Sequence, residues 1–255
     1  MEDPRRKSTV STVETNFEIV HALQHLGCAQ IKELAETVDV APSTVHRHLL
    51  TLREHGYVTK NGEKYQLGMR FLTLGGHVQT AHPTFDLARR KVDQVANETG
   101  ERVQFIVEEQ GFRIYLYTQT GENAVQTDAS IGKRGYLHTS AAGKVILANF
   151  PQERVEAIVD ELGLPATTPN TITDREELFA ELESIRERGY AYNYEETTPG
   201  LRAVGSVVCG PNDEVVGALS ISGPAHRFTG ETFEQELPNL VLGSTNEIEL
   251  KLKFR

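Results

Sequence analysis

The chain has 255 residues, 38% of them hydrophobic and 24% charged, with a formal net charge of −10. This suits one large globular core or two smaller ones, and no run approaches the ~20 apolar residues of a membrane span. The start MEDPRRKST lacks the apolar centre of a secretory leader, and Cys28 and Cys209 stand outside any CxxC pairing, so a disulfide framework is not expected and a reducing, cytoplasmic setting is.

In TVETNFEIVHALQHLG, Phe17, Val20, Leu23 and Leu26 recur every three residues, as on one helical face. Ser11 with Glu14 fits a capping box, and Gly27 a helix stop. A short helix follows in QIKELAETV, with Ile31, Leu34, Ala35 and Val38 on one side; Asp39-Val40-Ala41 makes a tight connection. Pro42 stands where a helix would begin, a place that suits proline because its missing N–H would be unpaired there. That helix, PSTVHRHLLTLREHG, runs to Gly56 and spaces Val45, Leu49 and Leu52 at i, i+4 and i+7. Ser43, Arg47, Leu50 and Thr51 fall on the other side, flanked by Thr44 and His46. YVTK and EKYQL read as strands joined at Asn61-Gly62, the residue types a type I′ turn demands. Three helices followed by a hairpin make a winged helix-turn-helix over residues 1–68, with the helix-turn-helix at about 30–50 and the wing at about 57–67.

Such a motif lays its second helix in the major groove of duplex DNA. Ser43, Thr44, His46, Arg47 and Thr51 can bond phosphates or base edges, and Arg47 can grip a guanine through two bonds for ~1–3 kcal/mol of discrimination. Lys60, Asn61 and Lys64 at the wing tip suit phosphate or minor-groove contact. Residues 1–80 carry nine Lys/Arg against nine Asp/Glu, so the whole acidic excess lies beyond them. Binding DNA needs a local basic face, not a basic protein. The acidic remainder fits an ordinary acidic domain or adaptation to a salty cytoplasm.

GMRFLTLGGHVQTAH reads as a linker helix over 69–82. Met69, Leu72 and Leu74 are too many apolar groups for a solvated linker, and Gly75-Gly76 is a point of break or bend. Beyond Pro83, FDLARRKVDQVANETG is helical up to Gly100, and ERVQFIVEEQ and FRIYLYTQ alternate apolar and polar residues across Gln110-Gly111 as antiparallel strands. Helices follow at about 140–149, 151–162 and 174–188, strands at about 203–209 and 215–222, and a last helix at about 231–248. The fold class is α+β, with a central antiparallel sheet in residues 83–255.

Several chemical motifs fail. Gly143-Lys144 lacks the first glycine of a phosphate loop, since position 138 is His, and position 145 is Val instead of Ser/Thr; Lys144 is expected to project from an amphipathic helix. Ser140 and Lys144 do not have S-x-x-K spacing. His21, His25 and Cys28 lie at i, i+4 and i+7 but lack a fourth metal ligand. No catalytic residue, metal or cofactor is expected. His138 either lines a pocket or packs, and Arg134 and Arg202 either neutralise a carboxylate or pair with surface acids.

STVHRHLLTLREHGYV with YQLG resembles the recognition helix and wing of the IclR family of transcriptional regulators. LHTSAAGKVILA, RGYAYNYEE, GLRAVGSVV and GALSISGP follow in that family's order, so the resemblance spans roughly residues 10–228. It implies a winged helix-turn-helix, a dimerising linker helix and a GAF-like effector-binding domain, in dimers or tetramers on palindromic operators. Two-fold symmetry would place half-sites about one helical turn (~34 Å) apart. It also implies that a small-molecule effector, a small organic acid or related metabolite, meets the backbone of Ala141 and Ala142 and the hydroxyls of Ser220 and Ser222. Asn193 stands where many members have Asp, and Ala203 where some have a polar or sulfur side chain, so the effector's chemistry is open to difference. The competing reading is an enzyme or sensor built on the C-terminal domain, with the winged helix binding protein.

Overall fold

A computed structural model describes residues 9–81, 84–125 and 129–254. The chain divides into two compact units, Met1–Ala81 and His82–Arg255. The expected boundary at 82–83 lies outside the described residues.

The first unit runs α1 (Ser11–Leu26), α2 (Ile31–Thr37), α3 (Pro42–Glu54), β1 (Val58–Asn61), β2 (Lys64–Leu67) and α4 (Arg70–Ala81). Its core joins Val45, Leu49 and Leu52 of α3 to Leu34, Val58 and Tyr65. From α1 the core takes Ile19, Ala22 and Leu23, while Phe17 and Leu26 are exposed and Val20 is half-buried. A strict three-residue repeat drifts about 60° around a helix at each step, so the expected stripe could not stay on one face. The expected cap also differs. Val10 precedes α1 without a side-chain cap, and Glu14 accepts instead from the Thr9 hydroxyl at 2.7 Å. At the next helix, the Glu33 carboxylate accepts from the Gln30 backbone N–H at 2.6 Å.

The wing turns one residue later than expected. Asn61 pairs with Lys64, so Gly62 and Glu63 form the loop. Of the loop pair only Gly62 has positive φ, at 58°. Glycine first is the type II′ pattern, which leaves Asn61 in an ordinary strand conformation. Helix α4 runs unbroken through Gly75-Gly76, and within this unit Met69, Leu72, Leu74 and Val78 are exposed.

The second unit comprises α5 (Phe85–Thr99), β3 (Arg102–Glu109), β4 (Phe112–Thr120), β5 (Arg134–Tyr136), α6 (Ala141–Ala148), α7 (Gln152–Leu162), α8 (Arg175–Arg188), β6 (Tyr190–Tyr194), β7 (Leu201–Cys209), β8 (Val215–Pro224) and α9 (Leu237–Lys253). Its sheet has the order β5-β4-β3-β8-β7-β6, with every pair antiparallel. Gln110 and Gly111, at φ 54° and 80°, form the tight β3–β4 turn that the pair suggests. Strand alternation splits the apolar residues into two cores. Phe105, Val204, Leu219 and Ile221 face α5 and α9, while Ile106, Ala191 and Ala218 face α6 and α8.

Candidate functional site

Two places gather the residues singled out in the sequence. In the first unit, burying Val45, Leu49 and Leu52 turns the other side of α3 outward. Ser43, His46, Arg47 and Thr51 are exposed and Thr44 is half-buried. Arg47 pairs with no described carboxylate, and Thr51 donates its hydroxyl to the Arg47 carbonyl at 3.2 Å. At the wing, Lys60, Asn61 and Lys64 are exposed; Lys60 lies 3.8 Å from Glu63 and over the Tyr65 ring. An open concavity beside α3 also takes in Ser11, Thr12, Thr15 and Asn16 of α1, and the Asn16 side-chain Oδ1 meets the His48 Nδ1 at 3.2 Å. The periodicity of α1 gave no hint of that polar shoulder.

In the second unit, the α6 side of the sheet holds a cavity of about 110 Å³. Ala141, Asn193, Ala203, Ser220 and Ser222 all line it; Ala142 does not. Ala142 lies instead against β7, where a Cβ on Gly205 would come within 2.9 Å of its nitrogen, so only glycine lets α6 sit there. Ser140 caps α6 by accepting from the Gly143 N–H at 3.1 Å. Ala141 and Ala142 occupy the first two helical positions, whose amides have no acceptor within the helix.

The strand register puts Gln104 opposite Ser220. Ser220 donates to the Gln104 amide oxygen at 2.9 Å, and the Gln104 nitrogen donates to the Ser222 hydroxyl at 3.1 Å. One glutamine thus fixes both serines, leaving the Ser222 proton and a Ser220 lone pair for another group. Asn193 is fully engaged: its nitrogen donates to the Thr139 carbonyl at 2.8 Å and the Thr197 hydroxyl at 3.0 Å, and its oxygen accepts from the Glu196 N–H at 3.1 Å. An aspartate could not make the first of these bonds. No Asp or Glu is among the described lining residues, whereas Arg113 and Lys133 are.

One expectation is corrected here, and three side chains left open between two roles are located. Lys144 does not project from an amphipathic helix. All eight residues of α6 are buried, and Lys144, 2% exposed, meets Glu196 at 2.8 Å and Glu181 at 3.5 Å. Arg202 borders the cavity, but it alternates with Ala203, and its guanidinium bonds the Phe228 carbonyl at 2.9 Å and lies over the Tyr194 and Phe233 rings. Arg134 reaches Gln110 and the Phe112 ring. His138 packs, its Nε2 3.1 Å from the Pro165 carbonyl, outside the cavity lining. Gln104, Arg113 and Thr197 were missed in the sequence; only the alternation of β3, which sets Gln104 beside Ile106, held a signal.

Among the described residues, no group of three or more His, Cys, Asp or Glu could hold a metal, and no helix is long and apolar enough to cross a membrane. The model of the "IclR helix-turn-helix domain" matches residues 13–62, and that of "Bacterial transcriptional regulator IclR C-terminal" residues 77–250. The "Probable HTH-type transcriptional regulator ArcR" of Halobacterium salinarum is 32% identical over 255 residues, covering 98% of this chain and 96% of that protein. The Thermotoga maritima IclR structure matches with a TM-score of 0.83 at 30% identity, over 95% of this chain and 99% of that one. An IclR homologue from Microbacterium hydrocarbonoxydans, solved with 4-hydroxybenzoate, superposes with a TM-score of 0.82 at 20% identity, over 96% and 100% of the two chains. These relatives are regulators and not enzymes, and with both halves of the family matched in order, the chain belongs to the IclR family of helix-turn-helix transcriptional regulators.

Proposed function

We propose that this regulator reads a palindromic operator with Ser43, Thr44, His46, Arg47 and Thr51, steadies the complex through Lys60, Asn61 and Lys64, and changes its operator affinity when a small organic acid enters the cavity of the second unit. The working form is a homodimer or homotetramer, joined in part by α4, whose Leu72, Leu74 and Val78 are exposed on their own unit. The ligand favours one arrangement of that oligomer, and its differential affinity is the most it can contribute to switching.

One observation carries the ligand class. The Ser220–Gln104–Ser222 relay and the Ala141 end of α6 meet at a cavity whose described lining has no carboxylate. Helix N-terminal amides favour negative charge. The 4-hydroxybenzoate bound to the Microbacterium homologue is one small organic acid of this kind.

Replacing Ser220 and Ser222 together with Ala tests the reading. The double variant should lose the response of operator binding to a stabilising organic acid, with apparent ligand affinity falling on the order of tenfold for two lost hydrogen bonds of ~1 kcal/mol each. Operator affinity without ligand should be unchanged. Loss of operator binding in a ligand-free gel-shift assay would make the two hydroxyls structural.

A further inference from the structure

We propose that Arg113 is the counter-ion for a second carboxylate, so that the cavity takes a dicarboxylate. This rests on the reading of the cavity as an anion site and adds a second charged pole to it.

Arg113 is a built feature of the wall. It is 6% exposed and lines the cavity from β4. Its Nε donates to the Tyr136 carbonyl at 3.2 Å and its Nη1 to the Tyr115 hydroxyl at 2.5 Å, while the guanidinium lies 5.0 Å over the Tyr115 ring. Gly135 makes room for it: a Cβ there would come within 2.7 Å of the guanidinium carbon. Two of its three nitrogens are therefore held in place, and Nη2 donates to no described residue. No described carboxylate pairs with it, although ion pairs are common elsewhere in this unit. A buried guanidinium with no ion-pair partner among the described residues is costly, and a fork held rigidly with one arm open is the form that recognises a carboxylate.

The sheet order separates this pole from the other. Arg113 is on β4 and the two serines are on β8, with β3 between them; the α6 amides lie over β7, one strand further on. By register Arg113 stands opposite Glu108 and Ser220 opposite Gln104, four residues along β3, so at ~4.8 Å per strand and ~3.3 Å per residue the two poles start about 16 Å apart. The long Arg113 side chain closes part of that gap, leaving the length of a short carbon chain. Gln104 and its two serines sit at the pole away from Arg113, where a keto or hydroxyl oxygen beside the first carboxylate would meet them. A monocarboxylate satisfies one pole and leaves the other bare.

Calorimetric titration of the full chain with pyruvate, 2-oxoglutarate and 2-oxoadipate tests this. At least one dianion should bind about 30-fold or more tighter than pyruvate, as expected for a desolvated charge-assisted pair. Arg113→Gln, checked for folding by its thermal transition, should bring that dianion to within about threefold of pyruvate while leaving pyruvate affinity unchanged. Arg113→Lys keeps the charge without the fork and should retain part of the preference; it decides the matter if the glutamine variant does not fold. Pyruvate binding as tightly as both dianions, or a folded variant that keeps the full preference, overturns the second pole and leaves the anion site standing. If none of the three acids binds, both readings fall.

Discussion

Burial drives the His138 pKa below its ordinary value; the Pro165 carbonyl pulls it back up, while Arg113 and Lys144 push it down. The neutral ring is therefore the folded form, with its Nε2 proton directed at that carbonyl. In the unfolded chain the ring takes a proton below pH ~6.5, so the unfolded state binds more protons there and stability falls as pH drops through that value. Thermal unfolding at about pH 7.5 and 5.5 should show a smaller loss of Tm for His138→Gln than for the parent; an equal or larger loss contradicts this account. Among single residues, Ser220, Ser222 and Ala141 were singled out through the family resemblance, and all three line the cavity; the i, i+2 spacing of the serines is the local part of that signal. Arg113 and Gln104 matter because of neighbours far away in sequence, Gly135 and Ser220, and no local spacing announces such pairings.

Helix α6 is the element on which the second unit turns. Its Lys144 joins Glu196, whose backbone carbonyl accepts from the hydroxyls of Thr167, Thr168 and Thr171 and whose N–H is held by Asn193. The cavity wall at Asn193 and Thr197 and the segment before α8 are thus tied to one buried ion pair. Lys144→Met should cost about 3–5 kcal/mol in denaturant unfolding, because it strands the Glu196 charge. Adding Glu196→Gln should recover a good part of that loss, and a single-variant cost below about 1 kcal/mol would show the pair to be dispensable. The helices were readable from apolar spacing, the proline at the start of α3 and stop glycines. Strands β5 and β6 were not: they are edge strands of three and five residues, and too short for alternation to speak. The wing was seen but shifted by one residue, since Asn-Gly and Gly-Glu loops compete and only cross-strand pairing decides the register.

At the scale of the molecule, charge and fold divide the work. The acidic excess lies wholly beyond residue 80, while α3 keeps an open polar face in a unit with equal numbers of acids and bases. In the proposed reading, attraction to DNA comes from a few local contacts at Arg47, Lys60 and Lys64, each of which would release condensed counter-ions on meeting a phosphate. The most direct measurement is fluorescence anisotropy of the purified chain on a labelled duplex from upstream of its own coding sequence, at several salt concentrations. The parent should bind that duplex in preference to a scrambled one and lose affinity steeply with salt. Arg47→Ala should lose ~1–3 kcal/mol of preference for the specific duplex while keeping its thermal stability. Equal affinity of parent and variant for both duplexes, or binding indifferent to salt, would contradict the central claim that the outer face of α3 reads DNA.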